Sequence, residues 1–128
     1  MENKKCVLIV DDDPTIRKVV GRILEGHYEV LTAKDGVEGF TIADSKPVDL
    51  IILDLSMPRV DGFSLASMLR DHDLTRDIPI LVLTGLDNRT DELHALDSGA
   101  DMYLTKPFDA EELWVRTESL IGRAAARL

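Results

Sequence analysis

A single cysteine, Cys6, stands in 128 residues, so no disulfide can form within the chain. At the edge of an apolar run, Cys6 is expected to be a small buried side chain. Aromatics are scarce, with one tryptophan, two tyrosines and three phenylalanines. No run of about 18 apolar residues and no signal peptide is present, which favours a soluble cytoplasmic protein with no membrane attachment. Basic residues are also in short supply, 15 against 24 acidic ones, for a net charge of −9. Phosphate backbones are gripped by clustered Lys and Arg, so this composition argues against direct nucleic-acid binding by the domain. His27, His72 and His94 show no metal-ligand spacing and are expected to be solvated or satisfied.

What is present fits one globular domain with its own core. Five short apolar runs alternate with helical patterns. The first, Cys6 to Val10, stops at Asp11-Asp12-Asp13, and Pro14 follows at a good first helical position with Asp13 as N-cap. Ile16, Val19, Val20, Ile23 and Leu24 then recur at helical spacing up to a stop at Gly26. A more polar strand, Tyr28 to Thr32, suits a sheet edge. A helix from Asp35 to Asp44 is expected to turn Val37, Phe40 and Ala43 inward, weakened by Gly36 and Gly39.

Leu50 to Leu53, four aliphatics in a row, read as a strand buried on both faces and ending at Asp54. Pro58 and Gly62 close the following loop, and Leu65, Met68 and Leu69 outline a third helix to about Asp71. A further buried strand, Pro79 to Leu83, ends at Thr84-Gly85. The fourth helix, Thr90 to Ser98, has only Leu93, Ala95 and Leu96 to bury and should be the least firmly held element. Met102 to Leu104 form the last strand. The final helix, after Asp109, carries Leu113, Thr117, Leu120, Ile121 and Ala124 inward, with Trp114 partly buried beside them. Such alternation specifies an α/β fold, a doubly wound five-stranded parallel sheet with helices on both faces.

Polar residues follow the strands in a telling order: Asp11 and Asp12, then Asp54, then Thr84 and Gly85, then Lys106. In an open α/β sheet these strand ends share one edge, where ligands bind. Three adjoining carboxylates repel one another unless a dication sits among them. Oxygen donors without a His or Cys partner suggest Mg²⁺. Lys106 can hold a phosphate oxygen, Thr84 offers a hydroxyl, and Gly85 offers an unobstructed backbone N–H. A carboxylate nucleophile, Asp54, completes what phosphoryl transfer requires.

Val10-Asp11-Asp12-Asp13, Leu53-Asp54-Leu55-Ser56-Met57-Pro58 with Asp61-Gly62, Leu83-Thr84-Gly85, and Gly99-Ala100-Asp101 leading to Lys106-Pro107-Phe108 stand in one order. In that combination the chain resembles a response-regulator receiver domain of two-component signalling, over about residues 5–122. The resemblance implies a flavodoxin-like strand order, 2-1-3-4-5, for a domain filling residues 1–128. The strand-edge rule was itself drawn in part from chemotaxis receivers and is not independent of this resemblance. Residues 123–128 would be a helical extension or the start of a linker.

By the same resemblance Asp54 takes phosphate from a histidine kinase or phosphotransfer protein. Asp12 meets Mg²⁺ directly and Asp11 through water, while the backbone carbonyl of Ser56 completes the protein's ligands. Lys106 contacts the phosphate, and its bond to Pro107 is typically cis. Thr84 and Tyr103 form a switch pair: the phosphate recruits Thr84, and Tyr103 rotates into the vacated volume. The fourth helix, last strand and last helix then present the altered face to an output domain or partner. Ser56 and Leu86 flank the path of hydrolytic water and tune the lifetime.

Winged-helix regulators that dimerise through this face carry a basic residue where Glu92 stands and an acid where Met102 stands, so the resemblance does not bring that mode over. Two other functions remain open from sequence. One is a receiver that binds a partner without phosphorylation. The other is a Mg²⁺-dependent Asp-nucleophile phosphatase, though such enzymes place a second Asp where Ser56 stands. A receiver is not an enzyme in the usual sense, since it catalyses only its own phosphorylation and dephosphorylation.

Overall fold

The structure is a computed structural model that describes residues 4–126. Five strands alternate with five helices: β1 Lys5–Val10, α1 Pro14–Leu24, β2 Tyr28–Ala33, α2 Gly36–Ser45, β3 Leu50–Leu53, α3 Gly62–Arg70, β4 Ile80–Thr84, α4 Arg89–Ser98, β5 Met102–Thr105 and α5 Ala110–Ala126. All pairings are parallel and the order is β2-β1-β3-β4-β5, so the expected doubly wound architecture is what forms. The polar strand β2 is an edge, as its composition suggested. The α5 helix runs through Ala126; Arg127 and Leu128, which the sequence reading included in a helical extension, lie outside the described residues.

Successive side chains of a strand point to opposite faces, and this divides the core in two. Leu8, Val10, Ile51, Leu53, Ile80 and Val82 meet Ala43 of α2, Leu65 and Leu69 of α3, and Ala95 of α4. Val7, Ile9, Leu50, Ile52, Leu81 and Leu83 meet Val20 and Leu24 of α1 and Leu113 and Leu120 of α5. β5 therefore ends the sheet as the strand between α4 on one face and α5 on the other. Cys6 is buried and Trp114 half-buried, both as expected.

Each helix starts on a side chain that accepts one of its free N–H groups: Asp13 from Thr15, Asp35 from Glu38, Asp61 from Ser64, Asn88 from Asp91, and Asp109 from Glu111. Several side chains expected inside are not. Val19, Val37, Met68, Leu93 and Leu96 are 39–51% exposed. In α2 the reason is plain, because the helix approaches the sheet through Gly39 and the loop after Asp54 through Gly36. A Cβ on Gly39 would lie 2.9 Å from Val10, and one on Gly36 would lie 2.7 Å from the carbonyl of Val60. With glycine on the inner side, Val37 is turned outward.

Candidate functional site

Backbone hydrogen bonds draw the strand tips together before any side chain acts. The N–H of Asp11 donates to Ala33 at 3.1 Å, that of Asp54 to Val10 at 3.0 Å, and that of Lys106 to Thr84 at 2.7 Å. Asp54 thus sits beside the end of β1, and Lys106 beside the end of β4. The loop after Asp54 folds back on itself, with the Gly62 N–H on the Leu55 carbonyl at 3.0 Å. A Cβ at Gly62 would collide with the Asp54 carbonyl and come within 2.6 Å of Leu55 Cα. Only glycine permits that closure.

Asp11, Asp12 and Asp54 each bring a carboxylate oxygen within 4.8 Å of the others. Asp11 and Asp54 are buried, while Asp12 faces solvent. Lys106 Nζ donates to Asp11 Oδ2 at 2.8 Å and stands 3.7 Å from Asp54 Oδ2. Asp11 Oδ1 accepts from the Asp13 N–H at 2.9 Å, and its backbone carbonyl accepts from Arg17 at 2.7 Å. Burial nonetheless pushes the Asp11 carboxyl above its ordinary value, and Asp54 adds to the rise, while Lys106 and the Asp13 N–H pull against it.

One ammonium among three carboxylates leaves the cluster short of positive charge. Asp54 Oδ1 is buried with no hydrogen-bond partner. An unsatisfied oxygen in a group of hard oxygen donors, with one donor open to water, fits a Mg²⁺-sized cation that keeps part of its hydration shell.

The remaining predicted residues lie in or just after β3, β4 and β5. Thr84 is fully buried, and its Oγ1 accepts from the Leu86 N–H at 3.3 Å. Gly85 is exposed, and a Cβ there would meet nothing within 4 Å, so the strand end is open where an oxyanion would need room. Tyr103 is half-buried, with its hydroxyl donating to the Leu86 carbonyl. Burial first, then Asp91, Glu92, Asp87 and Asp54, push its phenol up to about 12. Leu86 is thereby bonded on both sides, to Thr84 through its N–H and to Tyr103 through its carbonyl. Ser56 and Leu86 share one surface depression with Asp12. The Lys106–Pro107 bond is cis.

Sequence reasoning missed two arginines that fix loops, Arg59 beside the site and Arg70 at the opposite edge of the sheet, where β4 and β5 begin. Arg70 donates to the carbonyls of Gly99 at 3.0 Å and Ile78 at 2.6 Å and to Asp101 Oδ2 at 2.9 Å. Asp101 also accepts from the Ile80 N–H at 2.8 Å. Arg59, with a left-handed φ of 67°, pairs with buried Asp35 at 2.6 Å and ties the post-Asp54 loop to the start of α2. Asp101 was part of the Gly99-Ala100-Asp101 motif, but nothing in its spacing pointed to Arg70. His72 pairs with Asp44 at 3.0 Å and His94 stacks on Phe63, consistent with satisfied rather than metal-binding histidines.

The response regulator receiver domain family matches residues 7–118. The chain is 48% identical over 118 residues to the DNA-binding dual master transcriptional regulator RpaA of Synechocystis sp., covering 91% of this chain and 49% of RpaA. It is 40% identical to the response regulator PleD of Caulobacter vibrioides, covering 89% of this chain and 25% of PleD. The chain thus spans about half, or less, of the length of these curated relatives. A putative response regulator from Chloroflexus aurantiacus superposes with a TM-score of 0.90 at 34% identity, covering 94% of this chain and 99% of that one. The chemotaxis protein CheY4 of Vibrio cholerae superposes with a TM-score of 0.87 at 34% identity, over 92% and 99% of the two chains. Placed beside four strand tips that converge on one acidic pocket, these likenesses show that the chain belongs to the response regulator receiver domain family of two-component systems.

Proposed function

We propose that Asp54 accepts a phosphoryl group from a phosphohistidine of a histidine kinase or phosphotransfer protein. One oxygen of the Asp54 carboxylate forms the new P–O bond as the P–N bond of the donor breaks. The departing imidazole keeps the electron pair of that bond. Lys106, already 3.7 Å from Asp54, follows the phosphoryl oxygens as a point charge. The Gly85 N–H and the Thr84 hydroxyl offer further donors at the open strand end. Asp11, Asp12, Asp54 and the Ser56 carbonyl would hold Mg²⁺, which when bound supplies charge neutralisation for the transferred group. The observation that carries this reading is the buried, partnerless Asp54 Oδ1 within the three-carboxylate cluster.

The phosphorylated state would act through Leu86. Drawing the Thr84 hydroxyl toward a phosphate breaks its bond to the Leu86 N–H, and the Tyr103 hydroxyl holds the same residue from its other side. Both contacts lie at the start of α4, so the α4, β5 and α5 face is the one to change and to meet an output domain or partner. The domain would fill the chain, with its core at about residues 5–122 and output elsewhere in a cytoplasmic signalling protein. Similarity to RpaA favours transcriptional output through a segment outside this sequence. With a charge of −9, this domain would not itself hold the nucleic acid.

Incubation with a small acyl phosphate and Mg²⁺ tests the assignment by intact mass. One phosphoryl group per chain is expected in the wild type and none in Asp54→Ala; equal labelling of both would refute it. Leu86 cannot orient a water by hydrogen bonding, so phosphate loss should be slow. A decay measured at the same rate in Leu86→Glu would remove that part of the account.

A further inference from the structure

Along the sheet edge formed by β5 runs a groove of about 710 Å³ between that strand and α5. Its apolar side chains are Met102, half-buried, and Val115, 55% exposed. Around them stand Asp109, Glu111 and Glu112, all exposed. The single cation there, Arg116, is already engaged by Glu112 at 3.2 Å and lies 3.8 Å from the Met102 sulfur. On the other side of β5, α4 exposes Leu93 and Leu96 and carries Asp91 and Glu92, whose charges act on Tyr103 in the same strand. The edge is therefore a strip of apolar side chains inside an acidic border.

We propose that this groove docks a basic amphipathic segment of a partner protein, apolar on one side and flanked by Lys or Arg. The proposal rests on the α4, β5 and α5 face being the output surface, and it names the chemistry of what binds there. Charge complementarity selects the occupant. A second copy of this chain would meet the groove through the same patch, since a two-fold contact pairs a surface with itself. That contact sets one acidic border against the same border of the other copy, with Arg116 already neutralised. A cationic segment relieves the acidic border, and its apolar side covers Met102 and Val115.

The test uses two labelled helical peptides, one of Leu and Lys at amphipathic spacing and one with Glu in place of Lys. Fluorescence anisotropy is read against the full chain, with and without acyl phosphate and Mg²⁺, and phosphate uptake is read by mass on the same samples. The Leu/Lys peptide should bind and the Leu/Glu peptide should not. Glu111→Lys with Glu112→Lys should weaken binding roughly tenfold. Val115→Ser, which leaves charge unchanged, should weaken it roughly threefold.

Asp71→Lys with Asp73→Lys makes the same change in net charge just after α3, on the opposite face of the sheet from α5, and should alter affinity less than about twofold. Equal losses in the two double variants would overturn the proposal, because binding would then follow net charge alone. So would sedimentation showing a dimer that Glu112→Lys dissolves, which would make a second copy the occupant. Complete phosphate uptake without peptide binding sinks the docking proposal alone. Binding that survives without any uptake supports docking and counts against Asp54 as acceptor.

Discussion

Helices α3 and α4 pack against each other on the same face of the sheet and have nine and ten residues, yet they are held in opposite ways. α3 buries Gly62, Leu65, Ala66 and Leu69. α4 buries Ala95 alone, while Leu93 is 51% and Leu96 39% exposed. α4 is instead fastened at its ends. Asn88 caps its first turn, and Tyr103 and Thr84 grip Leu86 just ahead of it. At the other end Arg70 holds the carbonyl of Gly99, whose φ of 124° suits glycine. A helix with a buried face moves only by opening the core, at several kcal/mol. One held at its ends can shift when a few hydrogen bonds are exchanged, and those ahead of its first turn lead through Thr84 to the strand end beside Lys106.

The largest expected break in this contrast is Leu69→Ala in α3, which should cost about 3 kcal/mol in chemical denaturation, against under about 1 kcal/mol for Leu96→Ala in α4. Similar losses at the two sites would erase the distinction. Arg70→Ala should cost about 2 kcal/mol, because it orphans the carbonyls of Gly99 and Ile78 and leaves Asp101 without its ion pair. Hydrogen exchange should then quicken at the carboxyl end of α4. Asn88→Ala removes the cap and should cost about 1 kcal/mol, with faster exchange confined to the first turn of α4.

A last effect, confined to alkaline solution, is a pH dependence. The Tyr103 phenol is raised from 10.0 to about 12 in the folded protein, chiefly by burial. A raised pKa means that the folded state holds the proton longer than the unfolded one. The stabilisation is therefore complete below pH 10 and is lost as pH climbs through about 12. Tyr103→Phe should lack that alkaline loss, measured as thermal midpoint against pH.

Much of this architecture was legible in the chain. The tip residues stood out because each ends an aliphatic run that cannot accommodate a charge unless the strand has left the core, as at Leu53-Asp54 and Leu83-Thr84. Helix starts were legible from Asp13-Pro14 and Asp109, whose caps act within a few residues. Facing was less legible. Val37 and Leu93 have the spacing of inward residues, but which side of a helix meets the sheet depends on what the sheet presents. In α2 the close approach of Gly39 to Val10 decides it. The Arg70 and Arg59 contacts were invisible because their partners lie 29 and 24 residues away and include a backbone carbonyl, which no side-chain pattern records.

Amide hydrogen exchange before and after treatment with acyl phosphate and Mg²⁺, in wild type and in Asp54→Ala, tests the link between pocket and helix most directly. The expected result is altered protection across residues 85–98 in the wild type, none in α3, and no response in Asp54→Ala. A response of equal size in α3, or unchanged exchange in α4 of a chain shown by mass to be fully phosphorylated, would contradict the account.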